Sequence, residues 1–321
     1  MAENYFLWIK RNRTKRSIER GEGIMLTGNL LWVLIGAILL GIAAGLNGTF
    51  AFLQKQSLVG DAAAHAALPG IAIAYLVTQQ KDLPILMLGA AITSALAVYM
   101  IQWIVGNSKL KADAAIGFVL SVFFGIGIVL LTIVNQSGTG NQSGLNDFIF
   151  GKAATMAKSD LVWLSSSALL IILMCLLFFK EWKLMIFDPV FARGIGLPVE
   201  RLRVLLTALT VLTIVTGIQA VGVILMAAML IIPAAAARFW SNHLGVILVT
   251  SAFFGALSGA LGTIISSVRT GLSTGPIIVL CAASLFVISY FFAPTRGFIA
   301  KSLKKKAFKQ RNVVKEAVNH E

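Results

Sequence analysis

Apolar residues in this chain run in long, nearly unbroken blocks, not at the spacings that mark half-buried helices and strands of soluble proteins. Such blocks point to a bilayer, whose hydrocarbon core takes about 20 consecutive apolar residues per helix. Nine spans are predicted, over 30–53, 58–78, 83–105, 113–134, 160–179, 202–216, 218–236, 245–268 and 275–294. The stretch 202–236 is too long for one crossing and barely enough for two, so nine spans demand a tight turn near Thr216 and Gly217. The predicted fold class is an all-α integral membrane protein of about nine transmembrane helices.

Composition agrees. Of 321 residues, 58% are hydrophobic and 12% charged, and the mean hydropathy is +0.87. Soluble domains run near 45–50% apolar and about 25% charged, so a water-soluble fold could not hide this much apolar surface. No soluble domain, low-complexity linker or internal repeat interrupts the blocks. Three parts are predicted: a basic amphipathic arm over 1–29, a membrane domain over 30–296 with a cytoplasmic loop at 180–203, and a basic tail over 297–321. Gly41/Gly45 and Gly255/Gly259 carry the small-residue spacing that lets helices approach closely. Cys175 and Cys281 lie inside apolar blocks and read as packing residues.

Charge gives orientation. The net charge of +14 would suggest nucleic acid in a soluble protein, but here the basic residues sit between and after the spans, as topology signals. No nucleic-acid partner is expected. With the C-terminus inside, the cytoplasmic connections and tail collect 17 Lys and Arg, against four in the outer loops. Nine spans then place the N-terminal arm outside, although it carries Lys10, Arg11, Arg13, Lys15, Arg16 and Arg20. That breaks the rule, and Tyr5 to Ile9 followed by these charges reads as an amphipathic arm on the outer surface. The localisation implied is a multi-pass protein of the cell membrane.

Few ionisable groups fall at membrane depth, and Asp61 and His65 stand out, in Gly60-Asp-Ala-Ala-Ala-His-Ala-Ala-Leu-Pro-Gly70. At i and i+4 they share one helix face, and the surrounding Ala and Gly leave room for a backbone or an ion. Intramembrane carboxylates and imidazoles usually face a cavity as ion sites or proton relays. A carboxylate oxygen with an imidazole nitrogen suits Mn, Fe or Zn better than Na⁺. The plainer alternative is a buried pair that satisfies itself. Two ligands do not close a metal site, so a metal would need others, for instance the same pair on a partner subunit. Pro69 is expected to kink or end this helix.

Other candidates read as structural. His243 and His320 fall in a cytoplasmic loop and the tail; Asp113 suits a helix N-cap or first turn; Met226 and Met229 could be soft ligands but fit core filling better. No Walker-type loop, His-Glu-x-x-His or Gly-x-Ser-x-Gly motif is present. The chain is therefore expected not to be an enzyme, and not to hydrolyse ATP on its own.

Two hydrophilic connections remain. The outer one, 135–159, is rich in Gly, Ser and Asn and is predicted as a loop with a short surface helix. The inner one contains Asp188-Pro-Val-Phe-Ala-Arg-Gly-Ile-Gly-Leu-Pro198. An Asp-Pro start and a Gly stop describe a short capped helix. Exposed Phe191 and Ile195 beside Arg193 suit docking of a cytoplasmic partner, though the segment also reads as a simple connector.

In four stretches the chain resembles the permease subunits of manganese, zinc and iron ATP-binding-cassette importers: Ser57 to Gly70, Leu110 to Gly117, Asp188 to Arg203, and Gly222 to Arg238. The Gly-Asp-x-x-x-His-x-x-x-Pro-Gly pattern is the most specific. The resemblance implies a fold similar to the cobalamin importer permease (type II), with a second permease subunit, identical or paralogous. It also implies two cytoplasmic ATP-binding subunits docking on the 188–203 loop, through Asp188, Phe191, Arg193, Gly194 and Gly196, and an extracytoplasmic metal-binding lipoprotein. Asp61 and His65 match the family's metal pair in the translocation path. No cofactor is expected to be held permanently; the divalent metal, with manganese favoured over zinc and iron, is cargo. The rival is a proton-coupled secondary transporter using Asp61/His65 as a relay. An intramembrane metalloenzyme lacks a third ligand and a base.

Overall fold

A computed structural model describes residues 30–54, 56–80, 82–136, 151, 158–268 and 273–300. The N-terminal arm, most of the outer loop, and the tail with His320 lie outside the described residues. Every regular element among them is helical: α1 Leu30–Leu53, α2 Ser57–Thr78, α3 Leu83–Asn107, α4 Ala112–Gln136, α5 Lys158–Leu177, α6 Phe179–Phe187, α7 Pro189–Gly194, α8 Val199–Val221, α9 Val223–Trp240, α10 Leu244–Val268 and α11 Thr274–Phe292. Helices dominate because lipid offers no partner for a free backbone N–H or C=O.

Eight of these are long and apolar enough to cross a membrane, and α9 contributes a shorter apolar stretch, Leu225–Trp240. The nine predicted blocks thus correspond to nine helices among the described residues, but one boundary moves. Thr216 and Gly217 lie buried inside α8, and the reversal comes at Gly222. Its φ of 94° is open to glycine and strained for other residues. The Gly222 amide closes α8 on the Ile218 carbonyl, and its own carbonyl accepts the Met226 amide that starts α9. Hydropathy is continuous across this one-residue turn, which is why the blocks alone misplaced it. Gly217 has a different use: it makes room for the Met226 thioether as α9 folds back.

Burial ranks the spans. Within their apolar windows α2 and α8 are each 61% buried, against 28% for α4 and 22% for α11. Packed on α3, α4, α8 and α9, α2 is the central helix; α3 and α4 turn Leu88, Ile92, Trp103, Phe118 and Val129 outward, where a bilayer would meet them. Small residues permit this crowding. Between α1 and α10, a Cβ added to Gly41 would stand 2.2 Å from the Gly255 carbonyl oxygen. One turn along, Ser251 donates to the Gly45 carbonyl at 2.8 Å. Without a hydrophobic drive between helices in lipid, such backbone contact and interhelical hydrogen bonds hold spans together.

A polar seam joins α1 to α8. Asn47, fully buried, donates to Thr213 at 3.0 Å and to Thr210 at 3.3 Å. Those hydroxyls in turn donate to the carbonyls one turn back, Leu209 and Leu206. At the end of the bundle where α6 and α7 lie, the fully buried Trp182 of α6 joins α1, α5 and α8 in a second apolar core.

Replacing Gly41 by Val should destabilise the protein by about 1–3 kcal/mol through overpacking against α10. The readout is a lower thermal unfolding midpoint in detergent. Gly106→Ala, in helix α3 at a site with nothing within 4 Å of the added methyl, should not lower the midpoint, since alanine favours a helix over glycine.

Candidate functional site

The local sequence explains how α2 presents a carboxylate. Ala62, Ala63, Ala64, Ala66 and Ala67 are all at most 1% exposed, because methyl-sized side chains let neighbours close around the helix. Ser94 of α3 reaches in to donate to the Ala63 carbonyl at 2.8 Å. On α4, Gly127 sits over Leu68 and Pro69, where a Cβ would come within 2.8 Å of the Leu68 Cβ. Asp61 and His65 fall on the remaining strip, their side chains 35% and 16% exposed. The helix continues through Pro69 to Thr78, so the proline does not end it. Having no N–H, Pro69 leaves the His65 carbonyl without its helical donor.

His65 Nε2 stands 3.6 Å from Asp61 Oδ1. That is an ion-pair distance, longer than a hydrogen bond, so the two groups face each other without being locked. The imidazole packs edge-on to Phe124 of α4, with centroids 5.0 Å apart and planes at 81°. Nδ1 is buried with no hydrogen-bond partner. The pair thus offers an oxygen and a nitrogen donor on the open side of a tightly held helix. No group of three or more His, Cys, Asp or Glu that could hold a metal occurs among the described residues.

The other sequence candidates stand elsewhere. Met226 is fully buried against Gly217, and Met229 receives the Ser258 hydroxyl at 3.9 Å; both are core. Asp113 occupies the first turn of α4. His243, exposed, precedes α10, and its carbonyl accepts the Ile247 amide.

The 180–203 connection folds as two short helices rather than one. Asp188 caps α7, its Oδ1 accepting the Phe191 amide at 2.9 Å, and Pro189 follows at the first helical position, where no N–H is needed. The helix stops in a Schellman turn: Leu197 donates to the Ala192 carbonyl and Gly196 to that of Arg193. Gly196 supplies the φ of 85° this turn requires; Gly194 is helical, with open space around it. Ala192 is fully buried and pins α7 to the body, while Val190, Phe191 and Ile195 are 77%, 55% and 55% exposed. Together with Phe187 at 61% they form a bare apolar patch, of the kind that marks a contact with another protein or a membrane.

Arg193 is not a free cation. It bonds Glu200 at 3.0 Å, and the second carboxylate oxygen takes Arg203 at 3.1 Å. Sequence reading missed Glu200 and Val190. The seven-residue separation of Arg193 and Glu200 becomes contact only because the Schellman turn reverses the chain between them.

With this geometry in view, the chain belongs to the ABC 3 transport family, whose model matches residues 27–293. It is 48% identical over 283 residues to the manganese transport system membrane protein MntC of Bacillus subtilis, covering 88% of this chain and 65%, just under two thirds, of that one. With the zinc transport system membrane protein TroC of Treponema pallidum it shares 43% identity over 267 residues, 83% of this chain and 90% of that one. Among solved structures, PsaBC from Streptococcus pneumoniae in complex with Fab superposes with a TM-score of 0.74 at 37% identity, over 85% of this chain and 94% of that one. An inward-facing metal-chelate type ABC transporter shares the fold at a TM-score of 0.60 and 18% identity, over 81% of this chain and 84% of that one. The all-helical ABC permease architecture expected from the sequence is the one observed.

Asp188→Ala should loosen α7 by about 1 kcal/mol, the usual worth of an N-cap. Hydrogen exchange at the Phe191 amide should then speed up about fivefold, and exchange within α2 should not change.

Proposed function

We propose that the chain is the transmembrane permease of an ATP-driven importer for divalent transition metal ions, in which the metal passes the Asp61/His65 pair by alternating access. The observation that carries this reading is the pair itself, a hard carboxylate oxygen and an imidazole nitrogen 3.6 Å apart on the open strip of an otherwise enclosed helix. Those donors suit Mn, Fe and Zn. Manganese is favoured because relatives named for manganese include the 48% identical one, and zinc follows from the 43% identical one.

Two ligands would hold a metal weakly, which suits passage rather than storage. A second permease subunit, a copy or a paralogue, would bring a second pair and complete a four-donor site on a symmetry axis. Two cytoplasmic ATP-binding subunits would seat on α6 and α7, where Val190, Phe191 and Ile195 form the apolar patch, Asp188 and Gly196 hold its shape and Arg193 is fixed by Glu200. An extracytoplasmic lipoprotein would deliver the ion from the other face, with the 297–321 tail inside and the 1–29 arm outside the cell membrane. A proton-coupled carrier would leave that cytoplasmic patch without an occupant, and nothing favours it.

Uptake of Mn²⁺ into proteoliposomes holding the assembled complex is the test. Asp61→Asn and His65→Ala, inserted at wild-type levels, should each drop uptake to background. Wild-type uptake in both variants, or uptake that follows a proton gradient and ignores ATP, would overturn the reading.

A further inference from the structure

Trp182 is the largest fully buried side chain in the described part of the molecule, and it sits on the cytoplasmic helix α6 rather than in a span. Three contacts hold it. Its indole N–H donates to the Leu202 carbonyl in the first turns of α8 at 3.2 Å. Its ring meets Phe50 of α1 edge-on, with centroids 5.1 Å apart and planes at 65°. The ring of Phe178, just before α6, lies 5.8 Å away at 33°. A buried indole N–H needs an acceptor, and here that acceptor is a single carbonyl of α8, so the bond ties α6 to α8.

Phe50, itself fully buried, stands at the end of α1, and a tight turn links it to the metal pair. The Phe50 carbonyl accepts the Gln54 amide, the Ala51 carbonyl accepts that of Gln56, and the Gln56 carbonyl accepts those of Val59 and Gly60. Asp61 is the next residue. These hydrogen bonds tie the end of α1 to the start of α2, the helix that carries Asp61. At the other end α6 joins α7 through Asp188, and α7 carries the bare apolar patch. Close packing passes displacement between rigid elements instead of absorbing it.

We propose that Trp182 is a positioning residue for transport: it hands motion of the α6–α7 loop to the α1–α2 turn, and through it sets the placement of Asp61. The proposal rests on the reading of the chain as an ATP-driven permease. It assigns Trp182 no contact with metal or nucleotide, only control over how ATP hydrolysis is converted into opening at the α2 site.

The experiment uses the complete permease and ATPase complex in proteoliposomes, with Mn²⁺ uptake and ATP hydrolysis measured on the same vesicles. Trp182→Ala should leave hydrolysis within about twofold of wild type while uptake per ATP falls about tenfold, within the range that coupling-path mutations reach. Trp182→Phe, which keeps a ring against Phe50, should recover most of that ratio. An unchanged ratio in Trp182→Ala, however much its yield or melting temperature drops, would mean that Trp182 is only a core residue. Should that variant fail to assemble, Phe50→Leu decides from the other side of the contact: a lowered ratio supports the proposal and an unchanged one overturns it. Wild-type vesicles without ATP-dependent uptake would sink the permease reading itself, before any variant is compared.

Discussion

Steric closeness around α2 is the constraint on which the rest of the structure depends. Its run of Ala and Gly lets α3, α4, α8 and α9 come close on all sides but one. A helix of larger side chains would push those neighbours outward and leave Asp61 and His65 in a loose bundle. In lipid the separation of helices brings no hydrophobic penalty, so close contact with interhelical hydrogen bonds must do the holding. The Ser94 bond to the Ala63 carbonyl and the seat of Gly127 over Pro69 are the local instances. Rigid surroundings on three sides also give the two polar groups a defined distance although they are not bonded to each other.

The two ends of the molecule are built on different principles. Membrane-depth contacts use glycine, alanine and hydroxyls, as at Gly41/Gly255 and Asn47/Thr213. The end that carries α6 and α7 uses large aromatic and aliphatic side chains, with Trp182 and Phe50 at the centre. Sharing one core across α1, α5, α6 and α8 keeps the short helices from hanging as free appendages.

Much of this was legible in the sequence, for physical reasons that can be named. Apolar blocks reveal spans because lipid demands them, and Asp61/His65 stands out because charge at that depth is costly. Asp188 and Gly196 gave away the ends of α7 because capping chemistry is local. What hid was non-local or lay within uniform hydropathy. Phe124, which faces the His65 ring, lies 59 residues along the chain. Thr207, Thr210, Thr213 and Thr216 recur every third residue, but threonine is too weakly polar to interrupt an apolar block. Span length alone puts the turn near Thr216 and Gly217; hydropathy is uniform there, and only the backbone dihedral at Gly222 locates it. Trp182 is one of six tryptophans, and nothing in its neighbourhood announces burial in a connection that reads as surface.

The turn at Gly222 has a further consequence. The reversal rests on a single residue whose φ of 94° suits glycine and few others, so any side chain placed there would strain both helix ends at once. Helices α8 and α9 meet end to end at this residue, and Gly151 lies against the same corner, at the Val221 carbonyl group. Two long helices of the bundle thus share a single corner, and whatever disturbs that corner reaches both of them.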